Sequence, residues 1–120
     1  MSSGVGYTTE SIGPVHSLYV GSGPSGTLPE EHRRHVLELC EASFPSFTSM
    51  DARGYFRGKS EDTLVIQIAT DDVERVVNLA RDIAVAQDQL GVGLASPDAN
   101  GVLVYRRIIP GRASISWAGR

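Results

Sequence analysis

Thr63–Thr70 (TLVIQIAT) is an almost unbroken β-branched and apolar run. Val73, Val76, Val77, Ala80, Ile83, Ala84 and Gln87 follow it at spacings of three and four. A period of two gives way to one of 3.6 within three residues, so a strand feeds directly into an amphipathic helix. The same succession occurs earlier. Val15–Val20 (VHSLYV) has strand character, and His32, Val36, Leu39, Cys40 and Ser43 form a second helical stripe. Two strand–helix units in series demand a sheet that both helices can cover.

The boundaries follow from local chemistry. Thr27 with Glu30 has the form of a capping box, Pro29 suits a first turn and Pro45 cannot continue a helix, which predicts a helix over about 29–44. Asp71 with Glu74 repeats the device, and Gly91 ends a second helix over about 71–89. Asp51–Lys59 (DARGYFRGK) alternates and predicts a strand, paired with Thr63–Thr70 through a turn at 60–62. On this pairing Ala52, Gly54, Phe56 and Gly58 face the helices, and Asp51, Arg53, Tyr55, Arg57 and Lys59 face away. Residues 92–96 and 102–108 are strand-like runs about a Pro97–Gly101 turn, and Ile115–Trp117 offers a further edge strand.

The order β-α-β-β-α-β predicts an α+β, ferredoxin-like domain: a four-stranded antiparallel sheet, two helices on one face and an extra C-terminal strand. The domain spans residues 15–109. Residues 1–14, rich in Gly, Ser and Thr, are expected to be a flexible segment, and 110–120 a tail. The second sheet face is left uncovered. Val65, Ala69 and Tyr19 are expected on it, which predicts self-association into a dimer or larger.

One cysteine among 120 residues excludes an internal disulfide, and no apolar run approaches the ~20 residues of a membrane helix. Residues 1–14 lack the basic start and apolar run of a secretory signal. A cytoplasmic protein with no membrane contact is expected. The net charge of −3 argues against nucleic-acid binding. Its distribution is uneven. Residues 51–59 hold three cations against one acid, and 102–120 hold four arginines and no acid, so the remainder carries nine net negative charges. Arg53, Tyr55, Arg57 and Lys59, with Arg106 and Arg107, are therefore the candidate ligand-binding residues, suited to phosphate or carboxylate with a ring for stacking.

Other motifs weigh less. Residues 21–26 (GSGPSG) spell G-x-G-x-x-G between a strand and a helix, but Pro24 removes a donor and no acid closes a second strand about 20 residues on, so they read as a loop. Arg53–Phe56 (RGYF) echoes an RNA-binding signature on the wrong strand. His32 and His35 lack a third metal ligand. No metal and no cofactor is expected. Cys40 lies on the buried stripe and reads as inert. Asp51 and Glu61 flank the hairpin and could bracket a site as acid and base, but such acids more often cap turns or pair with nearby Arg or Lys. The weak catalytic candidates are His16, Asp51 and Tyr55.

Leu18-Tyr19 with Gly21, Phe44-Pro45, Thr48, Asp51-Ala52, Gly54-Tyr55, Glu61 and Gln89 form a string, LY-x-G … FP-x-x-T-x-x-DA-x-G-aromatic, that resembles a family of small bacterial proteins of unknown function, some of them lipoproteins. It covers Leu18 to Val92. The resemblance implies no catalytic residue, because the family has no established activity. The chain departs from it in lacking a lipobox near its start and in its tail after Asn100.

These features favour a non-enzymatic, homo-oligomeric binding module for an anionic small molecule or a protein partner. The competing readings are a small enzyme of isomerase or hydrolase type on the same sheet face, and a phage or host accessory protein that sequesters a nucleotide signal. Convergence of His16, Asp51 and Tyr55 in a pocket would mark the enzyme.

Overall fold

Residues 5–89 and 91–111 are described by the computed structural model of the chain. Five strands and two helices follow in the order β1 (Val15–Gly21), α1 (Glu30–Ser43), β2 (Thr48–Phe56), β3 (Lys59–Ala69), α2 (Val73–Ala86), β4 (Val92–Pro97) and β5 (Leu103–Ile108). The sheet order is β2-β3-β1-β4-β5, antiparallel throughout. This is the expected ferredoxin-like plan with the second of the two C-terminal runs as a fifth, edge strand. Ile115–Trp117 and most of the 110–120 tail lie outside the described residues. The N-terminal segment is described from Val5, with Tyr7 and Ile12 exposed.

Even-numbered residues of the three inner strands carry the core. Leu18 and Val20, Leu64, Ile66 and Ile68, and Val92 and Leu94 pack against Val36 and Cys40 of α1 and Val76, Leu79, Ala80, Ile83 and Ala84 of α2. Both helices thus cover one face, and Leu39 and Val77 pack half-buried at its margin. Val73 does not join them. It opens α2 and is exposed, because Asp72 is the N-cap and its Oδ1 accepts the Arg75 N–H at 3.1 Å, one residue later than the expected cap at Asp71. In α1 the expected capping box is absent. Pro29 is the N-cap, with no side-chain cap.

The largest departure is in the β2–β3 hairpin. The turn is Arg57-Gly58, both at positive φ (52° and 80°), where residues 60–62 were expected. Two central residues at positive φ match the twist of the flanking strands, and glycine takes that conformation without strain. The displacement moves the register by an odd number of residues, and that exchanges the faces of a strand. Asp51 now pairs with Leu64, Arg53 with Asp62 and Tyr55 with Ser60. Asp51, Arg53 and Tyr55 are therefore on the helix side, and Ala52, Gly54 and Phe56 on the open side, the reverse of expectation. No helix of the described residues is long and apolar enough to cross a membrane.

Candidate functional site on the open sheet face

The register brings Tyr19 and Gly21 of β1, Glu61, Thr63 and Val65 of β3, Gly54 and Phe56 of β2, Gly93 of β4, and Tyr105 and Arg107 of β5 onto the open face. Most of them line one hollow of about 640 Å³ that reaches over the end of β1 to His32 and Tyr55 on one side and Gln87–Gln89 on the other. That volume is in the range of small-molecule sites.

Three glycines let the surrounding polar groups lie low. A Cβ at Gly21 would stand 3.0 Å from Glu61 Oε1, one at Gly54 would stand 2.8 Å from Thr63 Oγ1, and one at Gly93 would run into the Tyr105 hydroxyl. None of the three has positive φ, so the backbone does not call for glycine there. The space does. A carboxylate and two hydroxyls are drawn onto the sheet surface, and the room above them stays open.

Glu61 is the anionic centre of this floor. Its Oε1 accepts the backbone N–H groups of Ser22 and Gly23, both at 3.1 Å. The neighbouring Asp62 takes the Leu28 N–H at 3.2 Å through Oδ2 and donates its own N–H to the Gly26 carbonyl at 2.9 Å. The glycine loop is thereby fastened to the hairpin. Two of its amide donors thus serve an internal carboxylate. Gln89 Nε2 donates to the Gly21 carbonyl and ties the chain beyond α2 to the same corner. The Ser22 hydroxyl is buried there with no hydrogen-bond partner among the described residues.

Of the basic residues singled out from sequence, Arg107 lines the hollow, and so does Tyr55. Arg107 runs its stem over Gly91 and makes no ion pair among the described residues. The others go elsewhere. Arg53 is paired with Asp62 at 3.2 Å and donates to Ser60 Oγ. Arg57 occupies the turn, with its guanidinium carbon 5.1 Å from the Phe56 ring centroid. Lys59 is opposite Phe56 at the hairpin tip, and Arg106 is opposite Leu94, away from the open face. The six do not form one surface.

His16, Asp51 and Tyr55 do not converge. His16 is 2% exposed on the helix side, with Nδ1 2.7 Å from Ser96 Oγ and Nε2 3.0 Å from the Thr70 carbonyl. Asp51 is held by Arg33, and the Asp51 carboxylate pushes the Arg33 pKa up. A second hollow of about 440 Å³ beside that pair is lined by charges already matched, Arg33 with Asp51 and Glu30. Cys40 is fully buried, and burial pushes its thiol up to about 12. The residues that sequence reasoning passed over are Gly93 and Tyr105. Their relation runs diagonally across two strands and becomes visible only once the register is known.

Neither a protein-family model nor a curated protein matches the sequence. Two solved structures share the fold. A phage SAM lyase in complex with S-methyl-5'-thioadenosine superposes with a TM-score of 0.65 at 15% identity, over 90% of this chain and 98% of that one. A phage SAM lyase in the apo state gives 0.58 at 15% identity, over 88% and 96%. The expectation of a non-enzymatic module is corrected by this likeness, since the solved chains that share nearly the whole architecture are of an enzyme with a small-molecule ligand. The hairpin register also turns Arg53 to the helix side of the sheet, where it pairs with Asp62.

Proposed function

We propose that this chain is a lyase that acts on a sulfonium nucleoside of the SAM class at the glycine-floored hollow of the open sheet face. The observation that carries the reading is the charge arrangement of that hollow. A low-lying carboxylate, Glu61, and a guanidinium, Arg107, that makes no ion pair among the described residues share one cavity with three tyrosines, Tyr19, Tyr55 and Tyr105. SAM presents the complementary set: a cationic sulfur, a free carboxylate on its methionine arm and an aromatic base. The shared fold of the phage SAM lyases supports the assignment.

S-methyl-5'-thioadenosine is SAM without its four-carbon amino-acid arm, so the bond to break joins the sulfonium sulfur to that arm. Both bond electrons stay on sulfur and its charge disappears. Nothing is oxidised and no water is consumed. The arm completes its valence internally. Its own carboxylate oxygen attacks the departing carbon and closes a ring, or the adjacent carbon gives a proton to Glu61 and a double bond forms. Glu61 holds the cationic sulfur in place through charge, and Arg107 holds the carboxylate. A site that sheds water favours a step that cancels charge.

The test is incubation of the purified protein with SAM, followed by mass spectrometry. The reading requires S-methyl-5'-thioadenosine in one-to-one yield with a cyclised or unsaturated arm, in H2¹⁸O without label. Intact SAM after hours with stoichiometric protein overturns it.

A further inference from the structure

Tyr105 is opposite Ala95 in the β4–β5 pairing, yet its ring leans along the sheet and comes to rest on Gly93. A methyl group at position 93 would run into the Tyr105 hydroxyl and stand 2.7 Å from Cζ. Gly93 has an ordinary strand φ, so its backbone accommodates any residue. A glycine inside a strand weakens it, because it adds backbone entropy and packs nothing. What position 93 gains is a berth for a ring. Tyr19 walls that berth, with ring centroids 5.8 Å apart and planes at 62°, so the two meet edge to face. Edge contact with Tyr19 and rest on Gly93 orient the Tyr105 ring and leave its outer face open. The residue remains 62% exposed although it lies down on the sheet.

We propose that Tyr105, laid over Gly93, is the platform on which the aromatic base of the ligand stacks, and that Gly93 is the specificity-determining residue that makes the platform. The inference rests on the open face being the ligand site, and it adds which part of the ligand is read there and by what. A π-face is sequence-tolerant, so the platform selects compounds that carry a planar base over those that do not. The sulfonium sulfur then lies over the glycine floor toward Glu61.

Calorimetric titration of the whole chain tests this with two probes, S-methyl-5'-thioadenosine and the base-free sulfonium S-methylmethionine. Tyr105→Ala is expected to weaken the nucleoside roughly tenfold or more, the value of one base–aromatic stack, and to leave S-methylmethionine unchanged. Tyr105→Phe keeps nucleoside affinity, and Tyr105→Leu, which retains apolar cover without a ring, loses it. Gly93→Ala displaces only the far end of a flexible side chain. It is expected to keep the fold and reproduce Tyr105→Ala, and to add nothing in the Tyr105→Ala background. Wild-type affinity for the nucleoside in Tyr105→Leu or Gly93→Ala overturns the proposal, as does equal loss of both probes. A wild-type protein that stacks adenosine or cytidine through Tyr105 but leaves SAM intact keeps the platform and removes the lyase reading. No binding of any nucleobase compound removes the platform, whatever the fate of SAM.

Discussion

Arg33 and Asp51 join the first helix to the edge strand through two parallel hydrogen bonds, Nε to Oδ1 at 2.9 Å and Nη2 to Oδ2 at 3.1 Å. The fork geometry is good, but the Asp51 side chain is 71% exposed, so water and salt screen the pair. Asp51→Asn is expected to cost no more than about 1 kcal/mol in urea unfolding, less in high salt, and to leave turnover of SAM unchanged. A loss of turnover with intact stability would restore Asp51 to the chemistry.

Glu61 separates charge from tether. Glu61→Gln keeps a carbonyl that can accept the Ser22 and Gly23 amides and removes the negative charge. The expected outcome is a melting temperature close to wild type and a large loss of affinity for sulfonium compounds. Glu61→Ala also unfastens the loop and is expected to cost about 1–2 kcal/mol. If Gln behaves like wild type toward a sulfonium ligand, the carboxylate is a loop anchor and nothing more.

Burial holds the Cys40 thiol neutral up to about 12, against an ordinary value of 9.0. Between those values the unfolded chain releases the proton and the folded chain retains it, so the unfolded state binds fewer protons and stability falls as pH rises. The contribution is fully present below pH 9, and its loss above has a slope of at most about 1.4 kcal/mol per pH unit. Cys40→Ala is expected to flatten the decline between pH 9 and 11 relative to wild type, at a cost of about 1 kcal/mol at neutral pH for the vacated volume. Parallel pH profiles for the two proteins would show that the thiol is not responsible.

Much of this fold is legible in the alternation of single residues. Leu64, Ile66 and Ile68 announce a buried strand face, and Val76, Ala80, Ile83 and Ala84 announce the helix that covers it, because each pattern is local. Cys40 is legible as a core residue for the same reason. The faces of β2 are not. DARGYFRGK alternates equally well in either orientation, and the hairpin register chooses between them. That register hangs on whether Arg57-Gly58 or 60–62 makes the turn. The candidate site depends on the same non-local information. Gly21, Gly54 and Gly93 come from three strands and read separately, Gly21 in a loop and the other two inside strand-like runs, and only the sheet order β2-β3-β1-β4-β5 sets them around Glu61.

His16 and Ser96 form a buried polar link between β1 and β4, each 2% exposed, at the end of β1 remote from the glycine floor. The Thr70 carbonyl can only accept, so Nε2 carries a proton and donates to it, and on a neutral ring Nδ1 then accepts from the Ser96 hydroxyl. Ser96→Ala leaves Nδ1 buried without a donor and is expected to cost about 1–3 kcal/mol. His16→Leu removes both polar needs of the ring but strands the Ser96 hydroxyl, so each single change is expected to exceed the double change His16→Leu/Ser96→Ala, which leaves an apolar pair. Urea unfolding of the four proteins reads this as a coupling energy, and a ring-nitrogen NMR spectrum reads the Nε2–H tautomer directly. Additive single costs, or an Nδ1–H tautomer, would contradict the link. SAM turnover is expected to survive in all variants that fold, because His16 holds two strands together and touches no part of the site.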